Sequence, residues 1–430
     1  MTIGILSLLA VLVLAFARVP LGFSMLIVSF LGLGLMNGWE MASTLVPLTI
    51  TEAAFSYDLA VVPMFILMGN ILSRTGISDD LFRAAYAFLG SVRGGLALST
   101  MVTCAGFSAV CGSSLATAAT MSKVAYPSMK RYGYSEELAT ATIAAGGTLG
   151  ILIPPSIILM IYGFLTQTNI GHLFIAGVLP GMLGLGLYMC AIMWVALRRP
   201  HEAPAGDPVS WPERFASLKG VWPFSLLFVL IIGGLYGAIF TATEAAGMGA
   251  GFAIIIAMMQ RRLSWKTFKA VFVETASTST MLYIVLFGAM LFAKLVSYSG
   301  LGEGLLDMMR DAGFGPYQTL FFVLAIFVLL GCVMDTMAII LICVPLFIPT
   351  LMAHGFDLIW FGVIVVVLTE IGLITPPVGM NVFVLKACLQ HVPLKTIFRG
   401  LIPFISADII RLVLLVSFPS ISLVLVQLMK

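Results

Sequence analysis

Hydrophobic residues fall along this chain in long runs separated by short polar segments. Runs long enough to cross a bilayer lie at about 2–17, 19–36, 59–73, 135–168, 171–197, 221–240, 242–260, 274–297, 357–390 and 393–427. Two further apolar stretches, about 95–129 and 317–353, are interrupted in the middle by polar residues. Segments 78–91 and 301–312 carry charges on one side and predict helices lying along the interface. The opening run MTIGILSLLAVLVLAFARVP lacks a basic n-region and a small-residue cleavage site, so it is expected to be a first span and not a removed signal peptide. The predicted fold is an all-α polytopic membrane protein of about ten spans with two re-entrant helical hairpins.

Charge orients this pattern. Arg18, Arg74, Arg93, Lys130, Arg131, Arg198, Arg199, Arg214, Lys219, the stretch from Arg261 through Lys269, Lys395 and Arg399 mark one side of the membrane, the cytoplasmic one. The opposite loops hold almost no basic residue: 37–58 contains Glu40, Glu52 and Asp58 alone, and 168–172 only His172. Alternation works if both interrupted stretches enter and leave on one side, the first opening to the cytoplasm and the second away from it. Both termini are then expected to be periplasmic, and the polar segment 198–220 is a cytoplasmic linker.

Composition excludes other classes. The 430 residues are 60% hydrophobic and 10% charged, against about 25% charged in a soluble domain, and mean hydropathy is +1.11. A net charge of +3 leaves no basic nucleic-acid surface. The six cysteines lie in apolar stretches without a C-x-x-C pair, and the four histidines are scattered, so disulfides, haem and zinc are not expected.

The chain repeats itself. Pro127, Gly133, Gly150, Pro154 and Pro155 recur 222 residues later as Pro349, Gly355, Gly372, Pro376 and Pro377. After one inserted residue, Gly177 and Pro180 match Gly400 and Pro403. Three crossings (221–240, 242–260 and 274–297) separate the copies, and an odd number inverts the second relative to the first. Inverted repeats of this kind build transporters that bind at the midplane between broken helices.

Each repeat holds two breaks. The hairpin tips are GFSAVCGSSLATAAT (106–120) and GCVMDTMAII (331–340), in which Ser113 and Ser114 correspond to Asp335 and Thr336. The broken helices are AGGTLGILIPPS (145–156) and LTEIGLITPPVGMN (368–381). A double proline removes two amide donors and disfavours helix just before it. The freed carbonyls and amides cost several kcal/mol each at membrane depth unless they are buried in protein, line a wet cavity or bind something. Carbonyls with Ser, Thr and Asn oxygens suit a hard monovalent cation such as Na⁺, and helix amino termini suit an anionic substrate. Two breaks predict at least two Na⁺ sites flanking one substrate. A carboxylate at membrane depth such as Asp335 costs about 2.5–3.5 kcal/mol, so its default reading is functional. Glu370 is open between a structural pair and a proton carrier, while Glu244 and Glu274 sit at span ends. Ser99, Thr100, Thr117 and Thr120 read as packing contacts between helices.

At GTLGILIPPS and TEIGLITPPVGMN, and again at TATEAAGMGA (241–250), the chain resembles the large membrane subunit of tripartite ATP-independent periplasmic (TRAP) transporters, along nearly its whole length. The resemblance implies scaffold parts at 1–93 and 221–316 and a moving part made of the repeats 94–197 and 317–430, working as an elevator. It implies Na⁺-driven uptake of organic acids, among them dicarboxylates and sialic acid, delivered by a periplasmic substrate-binding protein across the bacterial inner membrane. It also implies a separate four-helix small membrane subunit. Carried onto matching positions, the first ion site involves the 108–114 tip and Gly147–Gly150. The second involves Asp335, Thr336 and Gly372–Thr375, with Gly379 and Asn381 near substrate or ion. The expected Na⁺ ligands are Ser108, Gly112, Ser113, Gly147, Thr148, Gly150, Asp335, Thr336, Thr369, Gly372 and Thr375. The expected substrate contacts are Ser113, Ser114, Pro154, Pro155, Pro376, Pro377, Gly379 and Asn381.

The alternatives are a stand-alone Na⁺- or H⁺-coupled carboxylate symporter of the same architecture and, remotely, an intramembrane enzyme. The serines of GSSLA (112–116) have no His or Lys within the hairpin to act as base, and no G-x-x-x-x-G-K-[ST] phosphate loop occurs.

Overall fold

A computed structural model describes residues 1–429. Among these residues every regular element is helical, apart from one isolated bridge between Arg93 and Ala205. The amino-terminal part contains α1 (Thr2–Phe16), α2 (Leu21–Asn37), α3 (Trp39–Ala54), α4 (Val61–Arg74) and α5 (Ile77–Leu89). The first repeat follows as α6 (Gly95–Cys111), α7 (Ser114–Val124), α8 (Tyr126–Arg131), α9 (Glu136–Thr148), α10 (Ile157–Thr166) and α11 (Ile170–Arg198). Next come α12 (Trp211–Ser217), α13 (Trp222–Tyr236), α14 (Ala242–Met259), α15 (Trp265–Tyr298) and α16 (Leu301–Asp311). The second repeat is α17 (Pro316–Gly331), α18 (Thr336–Ala353), α19 (Leu358–Ile374), α20 (Met380–Cys388), α21 (Leu394–Ser417) and α22 (Ser420–Leu428).

The repeat register governs where helices begin. α7 and α18 start 222 residues apart, and so do α9 and α19. Their caps correspond too, each serine in the first copy standing where the second has aspartate. Ser113 accepts from the Ala116 amide and Asp335 from Met337 and Ala338. Ser135 accepts from Leu138, and Asp357 from Ile359 and Trp360. Such caps satisfy amides that the first turn leaves without partners. Gly133 and Gly355, at φ 79° and 74°, end the preceding helices in the left-handed conformation that glycine adopts without strain.

The two broken helices form the centre. Every residue of α9 from Leu138 to Thr148, and of α19 from Trp360 to Ile374, is buried, as expected of helices that are apolar on all sides. The packing around them is exchanged between repeats. α10, beyond the first break, lies on α18 and α19 of the second copy, and α20, beyond the second break, lies on α7 and α9 of the first. Outside this core α2 and α15 meet backbone to backbone, with glycines at Gly22 and Gly288 where any side chain would strike the facing main chain. Outward positions such as Val13, Phe16, Leu35, Leu197, Val229 and Phe321 are exposed and apolar, the surface of a multi-pass membrane protein.

Several expected segments differ. Most of segment 37–58, read as a loop, is helical as α3 (Trp39–Ala54), whose buried Ala42, Thr49 and Ala53 share one face; the charges at its ends masked that period. The run 393–427 divides at Phe418–Pro419 into α21 and α22, because proline lacks the amide and disfavours helix before it. The run 274–297 extends back to Trp265, capped by Ser264. Segment 198–220 is pinned and partly helical: Gly94 donates to Ala203 (3.0 Å), Gly206 to Gly90 (2.9 Å) and Ser135 to Glu202 (3.1 Å). Tyr132 donates to Asp207 of this segment, a bond that holds the phenol above its ordinary pKa. Among the described residues six helical stretches are long and apolar enough to cross a membrane, one of them α4 together with the turn Tyr57–Ala60 before it. The expected total of about ten also counts shorter and broken helices such as α1, α2 and α19.

Candidate functional site

The first hairpin tip turns at Gly112, whose φ of 61° closes α6 with a bond from its amide to the Ser108 carbonyl (2.8 Å). Ser113 then caps α7, and Ser114 is buried. Gly147 permits close approach here, since a side chain at that position would meet the Ser114 carbonyl at 3.1 Å. Gly150 is tighter still, because a Cβ would collide with the Ser108 side chain. The first tip and the first break therefore touch at Ser108–Gly150 and Ser114–Gly147.

The second tip repeats the arrangement with main chain against main chain. A Cβ at Gly372 would lie 2.5 Å from the carbonyl carbon and oxygen of Gly331. The Val378 amide, just past Pro376 and Pro377, donates to the Cys332 carbonyl (3.2 Å), tying the loop after the break to the tip. Both Pro-Pro bonds, Pro154–Pro155 and Pro376–Pro377, are cis. Asp335 is exposed at the tip. Its Oδ2 accepts from the amides of Met337 (3.1 Å) and Ala338 (3.4 Å), so part of its role is to start α18. Thr336 is buried with a hydroxyl that has no hydrogen-bond partner.

Asn381 joins the copies. Ser114 Oγ donates to Asn381 Oδ1 (2.8 Å), and Asn381 Nδ2 donates to the Ala144 carbonyl (3.0 Å). An expected substrate contact of the second repeat is thereby held against the tip and the broken helix of the first. Its neighbour Gly379, at φ 63°, begins α20 without a side-chain cap, while Ser156 caps α10 by accepting from Leu159. The uncapped end leaves free amides for an anion.

Four expected ligands spend their hydroxyls on their own helices, Ser108 on the Cys104 carbonyl and three threonines. Thr148 Oγ1 donates to Ala145 (2.7 Å), Thr369 to Val366 (2.8 Å) and Thr375 to Ile371 (2.5 Å). Each hydroxyl oxygen retains acceptor capacity. Glu370 proves to be paired, with Arg411. Glu244 completes a capping box with Thr241, and Glu274 bonds Arg74 at 2.6 Å.

Sequence reasoning missed Asp408 and Arg411, which lie fully buried in α21 with Glu370 and Tyr188. Arg411 Nη2 pairs with Glu370 Oε2 and lies 2.8 Å from Asp408 Oδ1. The signal was present: two charges three residues apart within an apolar run, each costly at membrane depth. A cavity of about 760 Å³ was also unforeseen. Glu52, Asp58, His172 and Glu244 line it, and none of the expected site residues does.

Residues 8–421 match the family model described as tripartite ATP-independent periplasmic transporter, DctM component. The chain belongs to this family. It is a transporter permease, not an enzyme. Among curated relatives it is 37% identical over 376 residues to the C4-dicarboxylate TRAP large permease DctM of Pseudomonas aeruginosa, covering 87% of each chain. To the ectoine large permease TeaC of Halomonas elongata it is 31% identical over 427 residues, covering 99% of this chain and 98% of the relative. To the sialic acid large permease SiaM of Vibrio cholerae it is 30% identical over 418 residues, 96% of each. The fold is similar to the crystal structure of the YdaH transporter of Alcanivorax borkumensis, with a TM-score of 0.57 over 89% of each chain at 15% identity. The TRAP resemblance of the two Pro-Pro motifs thus extends to membership along the chain.

Proposed function

We propose that this chain is the translocating subunit of a Na⁺-driven uptake system of the inner membrane. A periplasmic binding protein delivers a small organic acid, a separate small membrane subunit completes the transporter, and the two repeats move as an elevator against the remaining helices. The observation that carries this reading is the convergence of the two breaks on the two tips, through Gly150–Ser108, Gly372–Gly331 and Asn381–Ser114. Carbonyls and hydroxyls gathered there, including the unpartnered Thr336 hydroxyl, suit Na⁺ as co-transported cargo, and the uncapped start of α20 suits a carboxylate. Relatives named for C4-dicarboxylates, ectoine and sialic acid share similar identity with this chain. That spread supports a substrate chosen largely by the binding protein.

The chain, reconstituted with its small subunit, is expected to take up substrate only with a binding protein outside and an inward Na⁺ gradient. Uptake of free substrate without the binding protein would favour the stand-alone symporter. Orientation has its own test. Single cysteines at positions 50 and 170 are expected to react with impermeant maleimide from the periplasm, and those at 205 and 395 only after the membrane is opened. Exchange of the two groups overturns the inverted arrangement and the periplasmic termini.

A further inference from the structure

The buried polar cluster follows the repeat. Thr148 and Glu370 stand 222 residues apart, each two residues before the glycine that touches its own hairpin tip. Beyond the inserted residue the offset is 223, and it relates Tyr188 to Arg411. In the first copy Tyr188 OH lies 3.3 Å from Thr148 Oγ1. In the second, Arg411 pairs with Glu370. Each broken helix is thus gripped at the same place by the same residue of its repeat's last long helix, neutrally in one copy and by charge in the other.

Asp408 connects the two grips. Its Oδ2 accepts from Tyr188 OH at 2.6 Å, and its Oδ1 lies 2.8 Å from Arg411 Nη2. The guanidinium also sits 5.9 Å over the Tyr188 ring. It has room because Gly184 of α11 offers no side chain, whereas any Cβ there would strike it. A continuous polar path therefore runs Thr148–Tyr188–Asp408–Arg411–Glu370, from one break to the other. The Thr148 and Tyr188 hydroxyls meet at 3.3 Å with their protons on Ala145 and Asp408, and Arg411 joins the two carboxylates as ion pairs. All five residues are buried, so solvent does not screen the path.

We propose that Tyr188 and Arg411 are repeat-related positioning residues, coupled through Asp408, that hold both breaks in one register so that the ion sites beside them fill cooperatively. A shift of α9 at Thr148 displaces Tyr188 and, through Asp408 and Arg411, bears on α19 at Glu370. Coupling of this kind is reciprocal, so an ion at either break raises affinity at the other. The proposal rests on the Na⁺ reading above, and Na⁺ alone is the probe.

The experiment titrates the purified chain with NaCl against KCl at constant ionic strength and follows thermal unfolding. Wild type is expected to gain stability from Na⁺ alone, with a Hill slope above one. Tyr188→Phe removes one hydroxyl and keeps the ring on Phe404, which it meets edge-on at 5.6 Å between centroids. It is expected to bring the slope close to one and to raise the Na⁺ midpoint about five- to tenfold, what one lost hydrogen bond supplies. Asp408→Asn, equal in size, is expected to act in the same direction and serves if the first variant does not fold. Lower stability in KCl with unchanged Na⁺ midpoint and slope would make the path structural only and overturn the proposal. A wild type indifferent to Na⁺ overturns the ion reading itself, and the coupling with it; a Na⁺-responsive wild type matched by both variants overturns the coupling alone.

Discussion

Replacing Gly372 by leucine is expected to abolish uptake, and alanine alone to lower its initial rate by about five- to 150-fold, as an overpacking cost of ~1–3 kcal/mol at this contact implies. Helix α19 crosses the second tip there with backbone against backbone. The added carbon would lie 2.5 Å from the carbonyl carbon and oxygen of Gly331 and 2.7 Å from its Cα. No side-chain rotation relieves a collision with main chain, so the tip itself must move off the break. Gly150 in the first copy predicts the same outcome against Ser108. Gly186→Ala is the control, since nothing lies within 4 Å of a Cβ on that residue. Initial rates in vesicles, normalised to reconstituted protein, decide the matter; wild-type rates in Gly372→Ala would show that the contact opens freely and that the break is only a bend.

Arg411→Met is expected to give the largest loss of stability in the molecule, roughly 3–5 kcal/mol, because it strands two carboxylates in the interior. The guanidinium has no exposed surface, and neither do Glu370 and Asp408 around it. Methionine fills most of the volume, so lost packing contributes little. The charge explanation makes a second demand: adding Glu370→Gln and Asp408→Asn to Arg411→Met should recover much of the folded yield. Size-exclusion recovery and the unfolding midpoint in detergent measure both effects. An Arg411→Met chain with the wild-type midpoint would show that the carboxylates do not need the cation.

The architecture was legible in the sequence because bilayer constraints leave strong marks. Runs of apolar residues, the double prolines and the 222-residue register were all legible, and helices α7, α9, α18 and α19 begin where that register requires. The site was legible only as segments. The register names equivalent positions, and equivalence is not contact: Ser114 corresponds to Thr336, yet its partner is Asn381. That exchange depends on how half-helices cross after each break, which no local pattern encodes. Arg411 was missed because the run 393–427 remains apolar on average, although the offset of 223 that relates Gly177 to Gly400 relates Tyr188 to it as well. Helix α3 was missed for the opposite reason, its terminal charges outweighing its buried face.

The exchanged packing bears on synthesis. Ser114 and Asn381 lie 267 residues apart in the chain, so a ribosome adding about 5–20 residues per second leaves the first tip without its partner for roughly 10–50 s. During that interval α7 and α9 are already made while α20, which covers them, is not. The inserting first half must keep its polar tip wet or shielded until α20, in the last eighth of the chain, arrives. Completion of the centre is therefore a late event in biogenesis, and cutting the chain between its copies leaves each fragment with the other's half-helix missing.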